Sequence, residues 1–205
     1  TAASYSSLAT NLEDMGRYAE ADAINRRILD LRRRQLGDDD RETAESYNNL
    51  ASNIQLQGRS REAEPLYRRA LEIRTKLLGE NDAVTILSHN NLAFCLTAQD
   101  RLAEAEQLYR KALRLTLATG GERTIDAATS YNNLAHNLQQ QERQADAEQL
   151  YRKALPLKDP VLAPPHPHVP GGYSNLATSL AYQGRAAEAQ PLFEKALAIA
   201  RAALG

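Results

Sequence analysis

Tryptophan is missing from this 205-residue chain, phenylalanine occurs twice, and cysteine and methionine occur once each. β-Branched residues are scarce, while the good helix formers Ala, Leu, Gln, Glu and Arg dominate. A β-rich or doubly wound α/β fold is therefore disfavoured. Apolar residues make up 42% and few of them are large, so a single thick core is poorly supported. A thin, elongated core of small residues fits better. The lone cysteine, Cys95, excludes an intramolecular disulfide and fits a reducing compartment. An excess of either charge is also lacking. The 25 Lys+Arg stand against 26 Asp+Glu, which gives no whole-chain attraction to nucleic acid or an anionic membrane. No apolar run approaches the ~20 residues that span a bilayer. No signal-peptide pattern opens the chain at Thr1. A cytoplasmic location is the expectation.

What the chain does have is a repeat, and a repeat decides the fold. Five segments align without a gap at a period of 42: Tyr5-Ser-Ser-Leu-Ala9, Tyr47-Asn-Asn-Leu-Ala51, His89-Asn-Asn-Leu-Ala93, Tyr131-Asn-Asn-Leu-Ala135 and Tyr173-Ser-Asn-Leu-Ala177. Thirteen residues after each Leu stands an alanine: Ala21, Ala63, Ala105, Ala147 and Ala189. Four further on come Asn25, Tyr67, Tyr109, Tyr151 and Phe193, and then Ile28, Ala70, Ala112, Ala154 and Ala196. Three columns are invariant across five copies.

Each copy reads as two helices, A and B. In the second copy, Tyr47, Leu50, Ala51 and Ile54 follow i, i+3, i+4, i+7 spacing over about Thr43 to Gln57. Gly58 is expected to end that helix in a left-handed conformation, and Ser60 to cap the next one. Ala63, Leu66, Tyr67, Ala70, Leu71 and Leu78 share one face of helix B, which Gly79 closes. Such a pair cannot bury both faces alone, so stacking on neighbours is required. Alanine at the crossing points permits close approach, with Tyr67 filling the gap between helices.

The order aromatic, x-x-Leu-Ala, Gly, Ala, Tyr, Ala resembles the tetratricopeptide repeat (TPR). The 42-residue period with "YNNLA", "EAEPLYRRALEIR" and "KLLG" is similar to the longer, kinesin-light-chain-like type. The resemblance covers the whole chain. It implies an all-α, right-handed superhelical solenoid of five antiparallel helix pairs over 1–205, with repeats at about 1–42, 43–84, 85–126, 127–168 and 169–205. Departures from the pattern carry their own expectations. Asn25 and Ile28 make the first repeat atypical. Asp100 and Glu142 replace the turn glycine, so those turns are expected to need another conformation. Pro156 is expected to end or kink its helix. The proline-rich stretch that follows, with Gly171 and Gly172 weakening the next helix, makes 156–172 the expected flexible joint. The last helix B leaves Leu192, Phe193, Leu197 and Leu204 without a following helix A. That suggests a piece of a longer protein, or an end that self-associates.

In TPR-like stacks helix A lines the concave groove. The columns there are almost uncharged and rich in side-chain amides: Asn49, Asn91, Asn133 and Asn175 in one, Asn48, Asn90 and Asn132 in its neighbour. An amide side chain offers one acceptor and two donors, which pair with a peptide backbone without reading its sequence. The resemblance implies that the Asn49 column holds peptide backbone. With adjacent helices about 10 Å apart, four such residues span about 30 Å. That is on the order of nine extended residues at ~3.3 Å each. Phe94, His136 and Gln139 are the candidates for selectivity, with Leu56, Leu87 and Tyr182 as apolar walls. Asn is a mediocre helix former, so the alternative for either column is an inter-helix hydrogen bond that fixes repeat orientation. The groove columns contain no Lys or Arg. A carboxylate clamp for C-terminal tails and a strongly acidic ligand are both disfavoured.

Basic residues gather on helix B, at Arg26-Arg27, Arg32-Arg33-Arg34, Arg68-Arg69, Arg110-Lys111 and Arg152-Lys153. They alternate with Glu62, Glu64, Glu72, Glu104, Glu106 and Glu148, which reads as a solvated convex face with i, i+4 pairs. His166 and His168 lack the further ligands of a structural metal site. Cys95 has no partner of catalytic spacing, and no nucleophile elbow, zincin or phosphate-loop motif occurs. The expected function is non-enzymatic: a scaffold that binds an extended partner segment, without cofactor, metal, nucleic acid or membrane. The alternatives are an assembly element that homo-oligomerises through open ends, and a regulatory arm of a larger NTPase- or protease-containing protein.

Overall fold

The computed structural model describes residues 2–158 and 168–204. Among the described residues there are ten helices and no strand. They form two compact units, Thr1–Arg101 and Leu102–Gly205. The first contains α1 (Ala2–Asp14), α2 (Tyr18–Leu36), α3 (Arg41–Leu56), α4 (Ser60–Leu78) and α5 (Ala83–Thr97). The second contains α6 (Leu102–Gly120), α7 (Ile125–Gln140), α8 (Gln144–Lys158), α9 (His168–Tyr182) and α10 (Ala186–Leu204). In each unit consecutive helices pack against one another, α1 through α5 and α6 through α10. Of the proposed joint, residues 159–167 lie outside the described residues. On either side of them the chain is helical.

The repeat columns become the core. In the first unit Leu50, Ala51, Ile54, Ala63, Tyr67, Ala70, Leu92 and Ala93 are buried. In the second, Leu134, Ala135, Ala147, Tyr151, Ala154, Leu176 and Ala177 are their counterparts. Burying each leucine contributes about 1.5–3 kcal/mol. Alanine keeps the helices close enough for this thin core to exclude water.

Three of the helix A starts are capped by a side chain that the sequence argument did not single out. Asp40 Oδ1 accepts the Glu42 N–H at 2.7 Å, and Asp82 Oδ1 the Val84 N–H at 2.8 Å. Thr124 Oγ1 accepts the Ala127 N–H at 3.1 Å. Helix B starts differently. Ser60 is not a cap but the first, buried residue of α4, and Arg59 before it makes no side-chain cap bond.

The turns after helix A correct a second expectation. Gly58 has φ +77° and Gly184 φ +75°, as a left-handed closing residue requires. Asp100 and Glu142 keep that same conformation, both at φ 61°. The turn's hydrogen bonds explain why. Arg59 N–H donates to Ile54 O, Arg101 N–H to Leu96 O and Arg143 N–H to Leu138 O, all six-residue closures that only a left-handed penultimate residue permits. The closure is kept and the side chain bears the strain. Pro156 lies within α8, whose described part runs two residues further, to Lys158. Gly171 and Gly172 lie inside α9. A Cβ on buried Gly172 would meet Leu155 Cδ1 at 3.1 Å, so glycine here permits a close approach of α8 and α9.

Polar side chains lock each helix A onto the start of the preceding helix B. Cys95 Sγ donates to Ser60 O at 3.1 Å, Asn137 Nδ2 to Leu102 O at 3.2 Å, and Ser179 Oγ to Gln144 O at 3.2 Å. Each acceptor belongs to the first residue of its helix B. Nearby sits a carboxylate in each joint. Glu64, Glu106 and Glu148 have side chains only 15%, 14% and 6% exposed, so they are not on a solvated face. Each meets the expected i+4 arginine, namely Arg68, Arg110 and Arg152. Each also meets an arginine from the next turn: Arg101 at 2.7 Å, Arg143 at 3.1 Å and Arg185 at 2.8 Å. Gln99, Gln141 and Gln183 complete the three joints. Burial alone would raise the Glu64 pKa. The hydrogen bonds from Arg68, Gln99 and Arg101 outweigh it and hold the carboxyl at about 2.

Candidate functional site

The helix A residues of the first unit that sequence singled out are Asn48, Asn49, Asn90, Asn91 and Phe94. Asn49 is exposed on α3, one residue from half-buried Asn48. Asn91 Nδ2 donates to Asn48 Oδ1 at 2.9 Å, which couples the two amide columns across α3 and α5. Asn90 Nδ2 turns back to its own helix, to Ile86 O at 3.4 Å. Phe94 stands 58% exposed on α5, and Leu56 and Leu87 are exposed as well. A polar cleft of about 170 Å³ opens between α1, α2 and α3, with Asn48, Asn49 and Ser52 on its α3 side.

In the second unit Asn133 and Asn175 are half-buried on α7 and α9. Asn132 Nδ2 donates to Ala128 O at 2.9 Å. The Asn90 and Asn132 Oδ1 atoms are sealed from solvent without a protein partner among the described residues, so these two oxygens face packed helix, whereas Asn48 lines the cleft. His136 and Gln139 line a cleft of about 610 Å³ with Gln140, Glu142, Gln144 and the exposed Tyr182. Gln139 is oriented by Tyr151, whose hydroxyl donates to Gln139 Oε1 at 2.9 Å. The hydroxyl of Tyr67 is likewise engaged, by Ser52, and burial pushes its pKa up to about 12. The tyrosine column thus packs the core with its ring and braces a helix A polar residue with its hydroxyl. The repeat pattern by itself points only to the packing role.

Neither cleft is lined by a lysine or arginine. The helix B arginines are engaged elsewhere. Arg32 bonds Ser46 and the Glu42 carbonyl, Arg33 pairs with Asp38, and Arg34 with Asp30. Asp38 also accepts from the Tyr47 hydroxyl at 2.6 Å, and that bond with Arg69 holds it below the usual carboxylate range. Cys95 is fully buried, and burial pushes its thiol up, the opposite of an activated nucleophile. Among the described residues no group of three or more His, Cys, Asp or Glu converges as a metal site. His166 lies outside the described residues. No described helix is long and apolar enough to cross a membrane.

Comparison with known proteins agrees with this architecture. The crystal structure of BtubC (BKLC) from P. vanneervenii superposes with a TM-score of 0.83 at 24% identity, covering 98% of this chain and 80% of that one. A putative kinesin light chain from Podosopora anserina with nearly identical TPR-like repeats gives 0.81 at 23% identity, covering 96% and 93%. The apo form of RapI gives 0.82 at 18% identity, covering 98% and 70%. At these identities the likeness is one of fold. No curated protein matches the sequence. Tetratricopeptide repeat family models match residues 1–81, 82–159 and 172–205. With helix pairs, columns and family model in agreement over most of its length, the chain belongs to the tetratricopeptide repeat family.

Proposed function

We propose that this repeat scaffold acts by binding: it holds an extended segment of a partner protein against its helix A faces. The observation that carries the reading is the pair of clefts, each lined mainly by amide and hydroxyl side chains with one carboxylate, Glu13 or Glu142, and neither by a lysine or arginine. Asn49, Asn91, Asn133 and Asn175 would pair with the segment's backbone N–H and C=O groups. Phe94, His136 and Gln139 would select among side chains. The Asn48 column contributes by position, as Asn48 does in orienting Asn91. A face without cations favours a partner that is not strongly acidic.

A random-peptide display selection with an Asn49→Ala/Asn133→Ala counter-screen tests this. Asn49 is exposed and, among the described residues, makes no side-chain bond that its loss would break. The expected result is a set of peptides that lose at least tenfold in affinity, about 1.4 kcal/mol, on the double variant. Selected peptides that bind both proteins equally would overturn the groove assignment and move attention to the helix B side.

A further inference from the structure

The polar cleft of the first unit differs from its counterparts in two residues at once. In the fourth repeat Tyr151 donates to Gln139, and the ring fills the space between helices A and B. In the first repeat the same two columns are Asn25 and Glu13. Asn25 Nδ2 makes the equivalent contact to Glu13 Oε1 at 3.0 Å, but without a ring. The space so vacated is the cleft of about 170 Å³, lined by Ser6, Thr10, Glu13, Asn25, Asn49 and Ser52. That is below the ~300–1,000 Å³ of a small-molecule pocket and suits one side-chain head group.

The charge in this cleft is uncompensated. Glu13 Oε1 accepts a second amide hydrogen bond, from fully buried Asn53 at 2.9 Å, so the carboxylate is held in a fixed orientation. Among the described residues nothing bonds its Oε2 and no cation pairs with it. Four cations of the surrounding helix ends and of α2 are committed elsewhere. Arg17 bonds Glu20, Arg26 bonds Asp22 and Glu62, Arg27 lies over the Tyr5 ring, and Arg59 bonds Glu62. Glu64, by contrast, has two arginine partners.

We propose that this cleft takes the ammonium group of a lysine side chain presented by the bound segment. This rests on the groove reading above. One free carboxylate oxygen among hydroxyl and amide oxygens matches a compact head with three donors. It does not match the two parallel acceptors that a guanidinium fork prefers. The cleft thereby gives the amide face a point of selectivity: a basic residue at one position of an otherwise neutral segment.

The test is an amide-resolved NMR titration of the whole chain with three small probes. They are Nα-acetyl-lysine methylamide, its neutral isostere Nα-acetyl-norleucine methylamide, and norleucine methylamide with a free α-amine. The lysine probe is expected to shift the side-chain amides of Asn25, Asn49 and Asn53 saturably. Its affinity should fall at least tenfold in Glu13→Gln, which keeps the Asn25 and Asn53 bonds, and in Asn25→Tyr, which restores the ring. The isostere should leave the spectrum unchanged. Equal shifts by lysine and norleucine probes, or an undiminished response in Glu13→Gln, would overturn the proposal. A response to the free α-amine alone would overturn it in favour of a peptide N-terminus. The probes do not span the groove, so this result and the peptide selection fail independently.

Discussion

Asn91 donates its side-chain amide to Asn48 Oδ1 at 2.9 Å, joining residues 43 apart in sequence and one helix pair apart in space. The bond uses one donor of Asn91. It also separates members of a column that look equivalent in sequence. Asn91→Ala is expected to destabilise by about 1 kcal/mol, the loss of one neutral hydrogen bond. Asn49→Ala should be neutral or slightly stabilising, because alanine is the better helix former and no protein bond is lost. Paired thermal melts of the two variants check this. Equal destabilisation by both would show that the column acts as one structural unit.

The acid limb of stability should carry the mark of Glu64. Its folded pKa is depressed from 4.5 to about 2, so its contribution is fully present above about pH 4.5 and is lost as pH falls toward 2. Urea unfolding across that window should show a shallower decline in Glu64→Gln than in wild type. At pH 7 the variant should lose about 2 kcal/mol, since two arginines are left without their carboxylate. Parallel pH profiles for the two proteins would contradict the assignment.

Glu142 occupies a left-handed turn position at φ 61° that glycine fills elsewhere. Glu142→Gly removes the Cβ strain and adds flexibility to the unfolded chain, for a net gain of about 0.5–1 kcal/mol. Asp100→Gly should gain less, because aspartate tolerates this region better. Denaturant midpoints rank the three proteins directly.

Cys95 is fully buried and donates to Ser60 O, so its labelling by a thiol reagent should track unfolding rather than thiol ionisation. Cys95→Ser keeps a donor, as Ser179 does at the same position, and should cost less than Cys95→Val, which leaves none. Fast labelling of the native protein would show that the joint opens.

The fold was legible because the core needs only residue class at a fixed period. Ala63 and Tyr67 recur at 42 and are buried wherever they recur, and the Leu50 column is buried in every copy but the first, where Leu8 is exposed. The joints were less legible because they depend on side chains meeting across repeats. Glu64 and Arg68 read as an ordinary i, i+4 surface pair, and nothing in that spacing shows Arg101 closing over them. Asp40 and Asp82 could have been found as caps, each standing just before an apolar helix. Ser60 was the wrong choice because the Gly58 turn delivers the chain directly into helix, with Arg59 as the flanking residue. The cleft escaped notice because Asn25 reads as a mere lapse in a tyrosine column. Its effect appears only when Glu13, twelve residues earlier, is seen to share the vacated space.

The carbonyls of Ser60, Leu102 and Gln144 accept from Cys95, Asn137 and Ser179. A main-chain acceptor exists whatever residue stands there, so this bond, unlike the Glu–Arg–Gln cluster beside it, asks only for a small donor on one side. Copies joined this way can diverge in sequence, be duplicated, or be recombined as 42-residue cassettes. A new neighbour meets this bond through the main chain alone and has to match the old one at the Glu–Arg–Gln cluster beside it.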